Sequence, residues 1–202
     1  EVNAIMSLEI PLPLLDDGKQ FFRLARTPRV TSLIPTVAGR YPDQSYVHAG
    51  LGRRYLLQIP QAWNPSTNWP VVIVLPGHNQ SLDQFIGLHE ELLDIANTNG
   101  WILAMVEATI GIDSYRWFPY PPPAAGQPYI DDAAFLESLI NTFLDSTLNV
   151  NPRRIYGAGF SNGGSMMHYL ASRPNHAFAA FAFMETGTAP TEFYPAPYDR
   201  LN

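Results

Sequence analysis

Two stretches of the chain are apolar at every position: Val71-Val72-Ile73-Val74-Leu75 and Trp101-Ile102-Leu103-Ala104-Met105-Val106. Runs of this kind predict strands buried on both faces. Between them Ser81 can cap a helix from about Leu82 to Asn97, with Phe85, Leu88, Leu92 and Ile95 on one face, and Asn99-Gly100 supplies the stop. Strand, helix and strand with short joins predict a right-handed parallel crossover. Upstream, Ser45-Tyr46-Val47-His48 and Arg53 to Ile59 flank Gly50-Leu51-Gly52 and predict a hairpin. Downstream, Asp131-Asp132 opens a helix in which Phe135, Leu139 and Phe143 recur at i+4, beside a parallel row of Leu136, Ile140 and Leu144. Two acids in that first turn suit the helix dipole. A β-type run through Arg153-Arg154-Ile155-Tyr156 comes next, then a helix over roughly Gly163 to Ser172. Ala177 to Met184 is apolar on both faces and is expected to be an interior strand.

The remaining segments carry less pattern. Residues 1–40 are broken by Pro11, Pro13, Pro28 and Pro35 and form an irregular N-terminal segment, with Lys19 to Val30 a short helix or a loop. Residues 41–202 make up the N-terminal portion of a single α/β domain. Thr109 to Tyr129 is irregular but aromatic, with Tyr115, Trp117, Phe118, Tyr120 and Tyr129, and it lies just past the carboxyl end of its strand. Gly187 to Asn202 is proline-rich and reads as a surface loop leading elsewhere.

Composition narrows the function classes. With 46% hydrophobic and 15% charged residues in 202, the chain is an ordinary globular one. A net charge of −6 argues against nucleic acid or an anionic membrane as partner, and no apolar run is long enough to span a bilayer. The absence of cysteine excludes disulfides and thiolate chemistry. The chain starts at Glu1 without a signal-peptide pattern, as expected of a processed chain or a fragment.

The chemistry concentrates in Tyr156-Gly157-Ala158-Gly159-Phe160-Ser161-Asn162-Gly163-Gly164. A β-type run ends in Gly-x-Ser-x-Gly and a helical pattern begins at once behind it, which is the context of a nucleophile elbow. So tight a turn needs Gly159 and Gly163 where side chains would collide, and Gly157 and Gly164 add clearance. Two rival glycine motifs fail: a dinucleotide fingerprint would need glycine at Asn162, and no Gly-Lys-Ser/Thr step exists for a Walker-type phosphate loop. Ser161 is therefore the expected nucleophile. Its oxyanion is expected to be held by the backbone N–H groups of Asn162 and of His78, in the turn Pro76-Gly77-His78 after the first buried strand.

No histidine offers a convincing base. His168 is seven residues along the helix, roughly 10 Å from Ser161 at 1.5 Å per residue. His176 is expected at the far end of that helix, His48 lies in the hairpin, and His78 already belongs to the oxyanion loop. His89-Glu90 begins a zincin-like pair but lacks its second histidine, since position 93 is Leu93. Neither metal nor cofactor is expected.

From about Arg53 to Thr186 the chain resembles the α/β-hydrolase superfamily, particularly its polyhydroxybutyrate depolymerase and feruloyl esterase-like group. The similar stretches are Arg54-Tyr55-Leu56, Leu75-Pro76-Gly77-His78-Asn79-Gln80, Trp117-Phe118, Asp131-Asp132-Ala133-Ala134-Phe135, and Asn151-Pro152-Arg153-Arg154-Ile155-Tyr156 leading into Gly159-Phe160-Ser161-Asn162-Gly163-Gly164. Pro76 departs from the pattern, standing where the family usually carries histidine.

The resemblance implies a doubly wound, mostly parallel sheet with an N-terminal antiparallel hairpin. It implies hydrolysis of a carboxylic ester (polyester, feruloyl or small acyl) through an acyl-serine, and a secreted protein. The family places its acid and histidine after the next two strands. The expected partners are thus an ester substrate and further polypeptide carrying those strands and the Asp and His. Tyr115, Trp117 and Phe118 are expected to line the substrate pocket. The rival reading is a binding module that keeps the fold without a working triad.

Overall fold

In the computed structural model, which describes residues 34–110, 114–118 and 130–186, the sheet starts from a tight turn. Ala49 and Gly50 both have positive φ, 48° and 78°, the two-residue geometry whose twist suits an antiparallel pair. They join β1 (Gly39–His48) to β2 (Leu51–Ile59), with His48 opposite Leu51. Alternation along β2 sends Tyr55, Leu57 and Ile59 into one hydrophobic layer and Leu56 into the other.

The remaining elements are β3 (Trp69–Leu75), α1 (Leu82–Leu88), α2 (Glu91–Asn99), β4 (Ile102–Val106), β5 (Thr109–Ile110), β6 (Tyr115–Arg116), α3 (Asp132–Asp145), β7 (Val150–Phe160), α4 (Asn162–Ser172) and β8 (Ala180–Met184). Among the described residues six strands form one sheet in the order β1-β2-β4-β3-β7-β8. β2 runs antiparallel to β4, whereas β4, β3, β7 and β8 are mutually parallel. This is the doubly wound sheet with an antiparallel hairpin that the sequence predicts. Residues of α1 and α2 pack in the layer with Leu56, Val74 and Met105. Residues of α3 and α4 pack in the layer with Tyr55, Ile73 and Ile155. The chain moves from β3 to β4, then returns past β3 to β7. Such a reversal opens a crevice at the carboxyl ends of the strands beside it.

Burial inside this sheet gives one titration signature. Desolvation, helped by nearby Tyr46, pushes the Tyr55 hydroxyl up to about 12 from an ordinary 10.0. Between those values the folded protein keeps a proton that the unfolded chain has released. The contribution is therefore intact below pH 10 and is lost as pH rises toward 12. Denaturant titrations at pH 9 and pH 12 should show the wild type losing on the order of 2–3 kcal/mol more than Tyr55→Phe. Equal losses in the two proteins would assign alkaline sensitivity elsewhere.

Three expectations change. The single helix over Leu82 to Asn97 is two helices, because His89 leaves helical geometry (φ −134°, ψ 38°) and closes α1. The break re-phases α2 relative to α1: Leu93 and Ala96 are buried, whereas Leu88 and Ile95 are exposed. Second, Thr109 to Tyr129 is not wholly irregular, since Thr109–Ile110 pairs antiparallel with Tyr115–Arg116. Third, β8 is not interior among the described residues. Its described strand partner is β7, and Phe183 (40%) and Met184 (39%) stand exposed beside the free edge. The expectations for Lys19 to Val30, Tyr120, Tyr129 and Gly187 to Asn202 lie outside the described residues. No described helix is long and apolar enough to cross a membrane.

Candidate active site

β3 and β7 leave the sheet side by side, with Leu75 in register with Gly159. Pro76-Gly77-His78 and Phe160-Ser161-Asn162 therefore start from adjacent points at the same carboxyl edge. Ser161 is the residue before α4, with φ 50° and ψ −115°. A side chain holds that backbone at a cost of about 1–3 kcal/mol, and strain of this kind gathers at functional sites. The turn is anchored at both ends: the Ser161 N–H donates to the Met184 carbonyl at 2.8 Å, and the Ser161 carbonyl accepts the Ser165 N–H at 3.0 Å.

Close approach makes two of the elbow glycines obligatory. A Cβ on Gly159 would fall 2.3 Å from the Gly163 carbonyl oxygen, and one on Gly163 would fall 2.4 Å from the Leu75 oxygen and 2.5 Å from the Pro76 oxygen. These are backbone atoms with no rotamer to yield. The start of α4 thus rests directly on the end of β3, and that contact carries the β3 loop to the serine. A Cβ on Gly77 would lie 3.4 Å from Ser161 Cβ.

Neither the His78 nor the Asn162 backbone N–H has a hydrogen-bond partner among the described residues. The neighbouring Gly77 N–H is occupied, donating to Gln80 Oε1 at 2.8 Å. His78 itself is exposed, its Nε2 3.1 Å from Ser114 Oγ. Both N–H groups are thus left available to another acceptor.

Of the three aromatic residues expected to line the pocket, Trp117 is placed differently. Trp117 is 1% exposed, so its ring has no open face to offer a ligand. Its indole N–H donates to the Pro76 carbonyl at 3.0 Å, and its backbone N–H donates to Asn162 Oδ1 at 2.7 Å. Tyr115 and Phe118 are half-buried at the same end, with the Arg116 guanidinium 4.5 Å over the Phe118 ring.

Beneath Trp117 lies a buried ion pair that the sequence reading missed. Asp131 keeps to the helix start, as expected of both acids, and caps α3 by accepting the Ala134 N–H. Asp132 is fully buried instead, accepting from Arg53 Nη1 at 2.7 Å, the Phe118 N–H at 2.8 Å and Thr109 Oγ1 at 3.3 Å. The Arg53 guanidinium lies 3.9 Å from the Phe135 ring centroid and 5.6 Å from that of Trp117. Burial lowers the Arg53 pKa, against the opposing charge of Asp132. It also raises the Asp132 carboxyl, against Arg53 and the donated hydrogen bonds. A signal was present: Arg53 shares the inward face of β2 with Tyr55, Leu57 and Ile59, and a cation there requires a buried anion.

None of the five histidines hydrogen-bonds Ser161 among the described residues. His168 stacks on Phe183 at 3.7 Å between centroids, and burial lowers its pKa. His176 lies near Phe178 and Phe181, beside a cavity of about 150 Å³ reaching Glu137, Asn141 and Leu170. His89 packs on Phe85 and His48 near Phe135. Among the described residues no group of three or more His, Cys, Asp or Glu could hold a metal.

No protein-family model matches the chain, and no curated protein matches it. Solved structures do. An acetyl xylan esterase from Aspergillus awamori is 14% identical with a TM-score of 0.55, over 71% of this chain and 50% of its own. A ferulic acid esterase is 17% identical with a TM-score of 0.57, over 75% and 61%. The poly(3-hydroxybutyrate) depolymerase LpqC from Bordetella parapertussis is 19% identical with a TM-score of 0.50, over 70% and 50%. The matched part therefore spans about half to three fifths of those structures' length. At such identities the likeness establishes the fold, which is α/β-hydrolase-like.

Proposed function

We propose that these residues carry the nucleophile half of a serine carboxylic-ester hydrolase. The observation that carries the reading is the strained Ser161 at the head of α4, with Gly77 of the β3 loop against its side chain. Ser161 Oγ attacks the ester carbonyl and gives up its proton to a base. The carbonyl oxygen takes the negative charge between the backbone N–H groups of His78 and Asn162. Collapse breaks the bond to the alcohol, which leaves with the proton, and water then releases the acid from the acyl-serine. Tyr115 and Phe118 border the acyl side of the mouth.

The base and its carboxylate partner come from further polypeptide that extends the sheet beyond β8. Chemistry supports this: all five histidines are among the described residues, and none of them hydrogen-bonds Ser161. The esterases and depolymerase that share the fold support an ester as substrate, with polyester, feruloyl and small acyl esters the three classes to separate.

One observation favours a second reading, a binding module on the same fold: no described base reaches Ser161. Fluorophosphonate labelling of the intact protein separates the two, since only an activated serine reacts rapidly. A hydrolysis screen over the three ester classes should then show one preferred class. An unlabelled protein that hydrolyses none of them would overturn the enzyme reading.

A further inference from the structure

The segment 114–118 touches both loops that carry the candidate oxyanion donors. On the β3 side, the Tyr115 carbonyl accepts the Asn79 N–H at 2.7 Å, and the Trp117 indole N–H donates to the Pro76 carbonyl at 3.0 Å. On the elbow side, Asn162 grips the Trp117 backbone at two points. Its Oδ1 accepts the Trp117 N–H at 2.7 Å, and its Nδ2 donates to the Trp117 carbonyl at 3.4 Å. From below, Asp132 accepts the adjacent Phe118 N–H at 2.8 Å. One residue is thus bonded to the carbonyl two positions before His78 and to the side chain of Asn162. Among the described residues the N–H groups of His78 and Asn162 themselves have no partner.

We propose that Trp117 is a positioning residue that sets the spacing between the two oxyanion donors. It bridges the β3 loop through its indole N–H and the elbow through the Asn162 side chain. This inference rests on the ester-hydrolase reading and adds to it a component that touches no substrate. The physical case is that the donors sit on separate loops. Beyond the last ladder pair, Leu75 and Gly159, the loops meet by van der Waals contact of Gly163 with Leu75 and Pro76, to which Trp117 adds a hydrogen-bonded bridge among the described residues. Donor placement matters steeply, because a misplacement of about 1 Å can cost on the order of a hundredfold in rate. A bonded bridge of one rigid, buried residue restrains that coordinate. It also accounts for an indole N–H spent on a loop carbonyl where mere packing would be served by phenylalanine.

The test uses the intact protein and two variants. Trp117→Phe keeps an aromatic ring and deletes the bond to Pro76. Asn162→Ala deletes both bonds to the Trp117 backbone, keeps its own N–H, and changes a half-buried side chain, so it serves if Trp117→Phe does not fold. Each variant should lower kcat about tenfold or more, short of the roughly 10²–10³ lost when an oxyanion donor is deleted outright. KM should stay within about twofold, and affinity for a trifluoromethyl ketone, whose adduct with serine carries the oxyanion, should fall in parallel with kcat. A folded variant with unchanged kcat, or with KM alone altered, would overturn the proposal and leave Trp117 a packing residue. If the wild type neither takes a fluorophosphonate nor hydrolyses any ester, the hydrolase reading fails first and this one falls with it. A labelled, active wild type with unaltered variants removes only this inference.

Discussion

Ser161→Ala in the intact protein is expected to lower kcat for ester hydrolysis on the order of 10⁶-fold, the scale seen when a serine nucleophile acting with its base is removed. Stability should change by no more than about 0.5 kcal/mol, because one hydroxyl on a turn is lost and the Cβ stays. A second substitution separates chemistry from backbone. Ser161 is held at φ 50° with ψ −115°, which glycine adopts without steric strain though at about 0.5–1 kcal/mol of backbone entropy. Ser161→Gly should therefore be as inactive as the alanine variant but more stable than wild type, by up to about 2 kcal/mol once glycine's entropy is set against about 1–3 kcal/mol of released strain. Kinetics with a preferred ester and denaturant midpoints on the three proteins decide it. Near-wild-type turnover by Ser161→Ala would remove this serine from the mechanism.

The largest expected effect on stability belongs to Arg53 and Asp132. The guanidinium and carboxylate meet at 2.7 Å with side chains 3% and 0% exposed. Asp132→Ala leaves a buried cation without its anion and orphans the Phe118 N–H, and should cost about 3–5 kcal/mol. Replacing both partners with apolar residues, Arg53→Met with Asp132→Leu, removes the two desolvated charges together and should recover much of that loss. Denaturant unfolding of the single and double variants gives the comparison. A double variant as unstable as Asp132→Ala would show that the lost bond to Phe118, and not the stranded charge, dominates. The exposed pair Arg40 and Glu90, at 3.0 Å, is the control, and its removal should change stability by less than about 1 kcal/mol.

Much of this framework is legible in the chain. The apolar runs at 71–75 and 101–106 are central strands because residues buried on both faces leave no polar alternation to read. The i+4 rows of α3 and the cap at Ser81 arise from contacts within one or two turns. The elbow is the strongest case, since the clash a side chain would create at Gly159 is with Gly163, four residues away.

Other features depend on segments far apart in the chain. The break at His89 is invisible to periodicity, because Phe85, Leu88, Leu92 and Ile95 form an acceptable stripe on an unbroken helix. Trp117 and Phe118 read equally well as pocket lining or as core. The fold decides for Trp117 by bringing it under Pro76 and beside Asn162, 41 and 45 residues away. Likewise Ala177 to Met184 has the composition of an interior strand, yet burial is a property of neighbours, and β8 has β7 on one side with Phe183 and Met184 exposed.

By itself, then, the sequence determined the strands of the main sheet, the cap at Ser81 and the tight turn that lifts Ser161. Each is set by steric and hydrogen-bonding demands within a few residues, and those are written in residue order. Only the tertiary structure decided that Arg53 finds Asp132 across 79 residues and that Trp117 bridges two loops. Those outcomes turn on strand order and on which loops leave the same edge of the sheet, and a contact between distant segments leaves no local pattern in either of them.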